Sequence, residues 1–109
     1  MENLSFKEGK TAAIISYITI LGTIIAFIIN QKEKNNFASF HIRQAIGIYL
    51  LIFVINLMDR YMGIDWLNAV LYIGALILLI IGLVGAIQGE EKKVPLLGDQ
   101  FQEWFKNIY

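Results

Sequence analysis

Long runs of hydrocarbon side chains separated by short charged blocks set the pattern of this chain. Its 18 charged residues fall at positions 2–10, 32–43, 59–65 and 90–106, leaving three nearly pure apolar stretches. In a small soluble domain polar residues interrupt the apolar ones at the helix or strand period. Here they do not, so each stretch predicts a membrane-spanning helix. The first covers 11–29, nineteen residues without a charge. As a helix it reaches about 28 Å, against a hydrocarbon core of about 30 Å. The third covers 66–87 and reaches about 33 Å, with Trp66 at the depth where indoles collect. The charge-free part of the second, 44–58, would reach only about 22 Å, too short to cross. Extending it back to Phe37 restores about 33 Å, but places Ser39, His41, Arg43 and Gln44 in its first two turns.

The expected architecture is therefore an all-α integral membrane protein. Three antiparallel transmembrane helices, over 11–29, 37–58 and 66–87, form one membrane domain covering 1–109, and two seven-residue connections, 30–36 and 59–65, join them. Three crossings put the termini on opposite sides. Lys7, Lys10 and Arg60 flank one side, and Lys32, Lys34, Arg43, Lys92, Lys93 and Lys106 the other. The positive-inside rule then predicts the amino terminus outside and the carboxyl terminus inside. The first run reads as a span rather than a cleaved signal, because Asn30, Gln31 and Lys32 follow it and no small-residue cleavage site does.

Composition agrees with lipid as the solvent and narrows the chemistry. Hydrophobic residues make up 57% of the chain, the net charge is zero and there is no cysteine. A neutral chain without a basic arm has no electrostatic footprint for nucleic acid, and without cysteine there are no disulfides or thiolate metal sites. The single histidine has no second histidine or carboxylate at ligand spacing on its own helix, so neither a metal nor a cofactor is expected.

Helices in lipid gain little by hiding apolar surface from one another, so small residues should line their contacts. Ala12, Ser16, Thr19, Thr23 and Ala26 follow a four-three-four-three spacing in the first span, and Asn30 extends that stripe. In the third, Ala75, Gly82 and Gly89 recur every seven residues, while Gly82 with Ala86 and Gly85 with Gly89 form small-xxx-small pairs. Asn56 and Asn68, both near the second connection, are expected to be hydrated or to bond each other.

Two polar stretches remain. At the entry of the second helix His41 and Gln44 share a face, suited to inward hydrogen bonds, whereas Arg43 lies about 200° from His41 and suits lipid phosphates. After the third helix, Gly89 and four charges give a stop signal that Pro95 enforces. Asp99 and Gln102 then form a capping-box pattern ahead of Phe101, Trp104, Phe105 and Ile108, which predicts a short amphipathic interfacial helix over about 100–108 in the tail 90–109. The proline turn is expected to pack over the start of the second helix, with Glu90, Glu91 or Asp99 near Arg43.

These residues carry a resemblance. Phe40 His41 Ile42 Arg43 Gln44 Ala45, and Ala86 Ile87 Gln88 Gly89 followed by four charges and Val94 Pro95 Leu96 Leu97 Gly98 Asp99, resemble a family of small bacterial membrane proteins. That family is related to the twenty-kilodalton component of the chloroplast inner-envelope import translocon. The similarity runs from about Lys10 to Asp99 and includes Ser16 and Tyr17. It implies a multi-helix membrane protein linked to protein import, although the chloroplast protein is described with four helices, and it supplies no catalytic residues.

The expected function is a small non-enzymatic membrane protein acting through helix contacts with itself or other membrane proteins, in translocation or membrane-protein assembly. The alternative is an oligomeric channel or transporter subunit, against which stands the lack of Asp, Glu or Lys at mid-membrane positions. No grouping of nucleophile, base and orienting partner points to an enzyme.

Overall fold

A computed structural model describes residues 2–108, with side chains from 9 to 108. Lys7, counted above toward the amino-terminal flank, lies outside the described side chains. The described residues form five helices: α1 Glu2–Ile18, α2 Ile20–Glu33, α3 Asn36–Met62, α4 Asp65–Gln88 and α5 Gly98–Trp104. Two of them, α3 and α4, are long and apolar enough to cross a membrane. Three crossings were expected, and the first apolar run does not supply the third.

That run breaks at Thr19. Its backbone is extended (φ −149°, ψ 166°), and its hydroxyl accepts the Gly22 N–H as the N-cap of α2. The chain then doubles back, and the Thr23 hydroxyl donates to the Ser16 carbonyl at 2.6 Å across the bend. A Cβ on Gly22 would strike the Ile15 carbonyl, so the tight return depends on glycine there. At the open end of the hairpin Gly9 lies against the Asn35 side chain. The apolar parts of α1 and α2 are each only about 12–15 Å long, half a bilayer. The start of α1 thus lies at the same end of the molecule as the start of α3, contrary to the expectation of termini on opposite sides. We call this the near end. Thr19→Ala removes the cap and is expected to cost about 1 kcal/mol, read as a lower denaturation midpoint in mixed micelles; an unchanged midpoint would show that the bend does not rely on its cap.

The small-residue stripe acquires a different meaning in this hairpin. Ala12 and Ser16 of α1 and Thr23, Ala26 and Asn30 of α2 are all buried, but they belong to two opposed helices rather than to one face of a single helix. Ala12 and Ala26 pack with Ala38 and Ile42 of α3.

Asn30 also shapes the connection to α3. Its Oδ1 accepts the Asn35 N–H at 2.9 Å and its Nδ2 donates to the Ser39 hydroxyl at 2.8 Å. Asn35 in turn caps α3 by accepting the Ala38 N–H. These bonds shorten the expected seven-residue loop to Lys34 and Asn35. At the other end of α3 the turn is Gly63–Ile64, with Gly63 in the left-handed region and its N–H on the Asp59 carbonyl. Asn56 is exposed there, and the buried Oδ1 of Asn68 has no hydrogen-bond partner, so the two do not bond each other.

Buried residues concentrate at the near end, where Tyr17, Phe37, Ala45, Ile48, Ala86, Val94 and Phe101 form the main cluster. Across residues 49–81 only Ile55 and Ala75 are buried.

Candidate functional site: a polar clasp at the near end

Helix α4 stops with the backbone pattern expected at Gly89. Gly89 has φ 74°, its N–H reaches the Ala86 carbonyl, and the Glu90 N–H reaches the Gly85 carbonyl at 2.9 Å. This pair of bonds reverses the chain and turns the Glu90 carbonyl toward α3. His41 Nε2 lies 2.8 Å from that oxygen. The other ring nitrogen, Nδ1, lies 2.6 Å from the Tyr17 hydroxyl of α1.

Gln44 sets the direction of these bonds. Its Nε2 donates to the Tyr17 hydroxyl at 2.9 Å and to the Lys92 carbonyl at 3.1 Å, and its Oε1 accepts the Val94 N–H at 2.9 Å. The tyrosine hydroxyl, having accepted from Gln44, has its proton for His41 Nδ1. Nε2 therefore carries the ring proton and donates it to Glu90, which makes His41 the neutral Nε2–H tautomer. The rings of Phe37, Phe40 and Tyr17 meet the imidazole edge-on, with centroids 4.7, 5.0 and 5.4 Å away. Tyr49 adds a bond from its hydroxyl to the Tyr17 carbonyl at 3.0 Å.

Two glycines of α4 make room for this arrangement. A Cβ at Gly82 would enter the Tyr17 ring, and one at Gly85 would sit between His41, Lys92 and the Glu90 carbonyl. Gly82, Gly85 and Ala86 are buried within the chain, as is Ala75 farther along α4, while Gly89 is half-buried.

Beyond the clasp the tail continues across α3. Phe101 is buried where a Cβ on Gly47 would lie, and Gln102 Nε2 donates to the Phe40 carbonyl at 2.9 Å. Arg43 Nε donates to the Ile108 carbonyl at 2.8 Å and its Nη2 to the Lys106 carbonyl at 3.1 Å. Arg43 therefore meets backbone oxygens of the tail rather than the carboxylates of Glu90, Glu91 or Asp99. A guanidinium suits this task because its several donors lie in one rigid plane.

The expected capping box is also absent. Helix α5 begins at Gly98, one residue earlier than Asp99, with Leu97 as an N-cap that makes no side-chain bond, and it ends at Trp104. Asp99 pairs with Lys93 at 2.8 Å, both largely exposed, and Gln102 is engaged by Phe40. An exposed pair of this kind adds little stability. Pro95 precedes Leu96, which has φ 71° and is 94% exposed, and Gly98 is buried against Lys93.

Sequence reasoning singled out His41 and Gln44, which the structure joins through Tyr17. It gave Tyr17 no role of its own. The available signal was a hydroxyl inside an apolar run, which needs a partner once buried. Thr19, placed on the packing stripe, is instead the exposed bend. Among the described residues no group of three or more His, Cys, Asp or Glu is placed to hold a metal ion.

Comparison with known proteins gives the chain its relatives. The model of the magnetosome magnetite crystal formation protein family matches residues 8–101, most of the chain, including both halves of the clasp. The chain belongs to that family. A UPF0132 membrane protein of Methanocaldococcus jannaschii is similar too, 24% identical over 103 residues that cover 94% of this chain and 92% of that one. No solved structure matches. These matches overturn the resemblance to the chloroplast import component, since the same near-end residues fall within the magnetosome family match and neither relative points to import. The two motifs belong to a helix entry and a tail turn that bind each other, a packing solution that carries no information about translocation.

Proposed function

We propose that this family member is a small non-enzymatic membrane protein that acts through helix contacts with copies of itself or other membrane proteins. One observation carries the reading. The outward face of α4 is apolar and unpartnered, with Val70, Ile73 and Ile77 exposed around Gly74, where an added Cβ meets nothing within 4 Å. A glycine on such a face permits close backbone approach by a second helix, the main source of helix affinity in lipid. The polar side chains of the clasp, by contrast, are engaged in holding the tail. The family description names the magnetosome and magnetite crystal formation, and we carry over that setting as the one in which such contacts are made.

We also propose that the near end faces the cytoplasm. Lys10, Lys32, Lys34, Arg43, Lys92, Lys93 and Lys106 lie toward that end, against Arg60 at the far one, and the positive-inside rule reads this asymmetry directly.

A cysteine replacing Ile77 in the otherwise cysteine-free chain tests the contact. Oxidation in native membranes is expected to trap a disulfide-linked dimer, or a crosslinker a defined heteromeric product, and Gly74→Leu should reduce either several-fold. Monomer alone under both treatments, with or without Gly74, would reject the proposal.

A further inference from the structure

The hairpin and the tail make the two ends of this molecule unequal. Helix α3 is about 40 Å long. The hairpin tip reaches only as far as its middle, where Ile20, Thr23 and Ile24 share an apolar groove of about 390 Å³ with Ile46, Tyr49, Leu50 and Phe53. On the adjoining face of α3, the tail's Leu97, Phe101, Trp104 and Phe105 face Gly47, Leu50 and Val54 across a groove of about 350 Å³. Both grooves include Leu50, and both mark the level at which flanking elements end. Beyond it α3 and α4 continue alone, with Phe53, Val54 and Leu57 exposed and with Ile55 and Ala75 as the buried residues.

The near half of the bilayer thus holds parts of α1, α2, α3 and α4, with α5 beside them, and the far half holds two helices. At about 10 Å across each, the near cross-section is roughly double the far one. Helix α5 is amphipathic in the sense required at a headgroup layer: Phe101 points to α3 while Asp99 and Glu103 are exposed and ion-paired on the outer side. The near end is also the rigid one, because the clasp ties α1, α3 and the tail together.

We propose that the chain is a membrane wedge whose partner is a curved lipid bilayer. Its near end expands one leaflet more than its far end expands the other, so the protein partitions to membranes curved with the near-end leaflet on the convex side. Insertion limited to one leaflet is the same physics that makes interfacial helices sensitive to curvature, here built into an integral protein. The inference rests on the hairpin and tail geometry and is independent of the contact proposed for α4.

Single cysteines give a test with opposite signs. Glu103→Cys marks the near end and Tyr61→Cys, at an 83% exposed position, marks the far end. Each variant is reconstituted in giant vesicles of neutral phosphatidylcholine and labelled from outside with a dye that does not cross the bilayer. Only molecules with the marked end outward become visible. In narrow tethers pulled from these vesicles, the Glu103→Cys population is expected to be enriched about twofold over the flat membrane and the Tyr61→Cys population depleted. Equal density in tether and flat membrane, or enrichment of both populations alike, would overturn the wedge. A third variant, Lys10→Cys, checks the geometry without curvature. It should be labelled from the same side as Glu103→Cys; labelling from the opposite side would mean that the first apolar run crosses the membrane, and the proposal would fall.

Discussion

Gln44→Leu is expected to release the tail. The glutamine makes three bonds to two other elements, and a leucine of similar size makes none, leaving the Val94 N–H and the Lys92 carbonyl without their partners. A stranded buried polar group costs about 1–3 kcal/mol, so the clasped state should lose about 3 kcal/mol. That corresponds to roughly a hundredfold rise in the open population. Trypsin reads it directly, because Lys92 and Lys93 stand next to the residues that Gln44 holds. Cleavage there should accelerate by about two orders of magnitude when the tail opens and recloses faster than it is cut, while α3 and α4 stay protected in the micelle. The rate should then fall again in a variant that restores an amide, such as Gln44→Asn, only if the shorter side chain still reaches. A Gln44→Leu protein cut at the wild-type rate would show that the tail's other contacts, through His41, Arg43, Phe101 and Gln102, hold it without the glutamine.

Gly82→Leu is expected to have the second large effect. The new side chain would have to occupy the Tyr17 ring, whose hydroxyl is the centre of the clasp. Overpacking of this kind costs about 1–3 kcal/mol by itself. Displacement of Tyr17 adds the loss of its bonds with His41 and Gln44, for a total of about 4 kcal/mol. Gly74→Leu is the matched comparison, since nothing lies near that position. Its monomer stability in detergent should stay within about 0.5 kcal/mol of wild type. Equal loss in the two variants would mean that leucine in place of glycine on α4 is harmful irrespective of Tyr17.

The parts of this fold that were legible in the sequence are those where one physical rule acts alone. Helix α4 follows from apolar length between charged blocks, α3 from the same length rule once its polar entry is counted in, and Gly89 followed by charges and Pro95 marks a stop that needs no tertiary information. The bend at Thr19 was hidden for a definite reason. No proline or charge interrupts the run there, and a threonine inside a membrane helix is ordinary, so the sequence reads as continuous. The stripe of small residues reinforced the error, because it was laid out on one helix: Ala12 and Ser16, which are four apart, and Thr23, Ala26 and Asn30, at three and four, can also line two opposed faces after a fold-back. Length was the remaining clue, since nineteen residues only just cross.

The near-end site was legible in its parts and not in its pairing. His41 and Gln44 on one helix face pointed inward, and the proline turn was expected over the helix entry. The receptors for those side chains, however, are mostly backbone atoms, the carbonyls of Glu90 and Lys92 and the N–H of Val94. Backbone partners leave no mark on residue type, so the charges of Glu90, Glu91 and Asp99 point to a pairing with Arg43 in which they take no part. Arg43 is the same case, with carbonyls of Lys106 and Ile108 in place of a carboxylate. The capping pattern at Asp99 failed because Gln102 has a better use, the Phe40 carbonyl, and Asp99 meets Lys93 instead.

The clasp joins residues 24 to 50 positions apart, and its last member, Val94, is made after both α3 and α4. During synthesis His41 and Gln44 therefore enter the bilayer surface before any of their tail partners exists. Water must serve them in the interval, which keeps that end of the nascent chain hydrated and shallow. Drying and locking wait until the tail turn, from Gly89 to Val94, has emerged from the ribosome. A chain released early at Gly89 would be inserted but unfinished, a ready substrate for quality-control proteolysis.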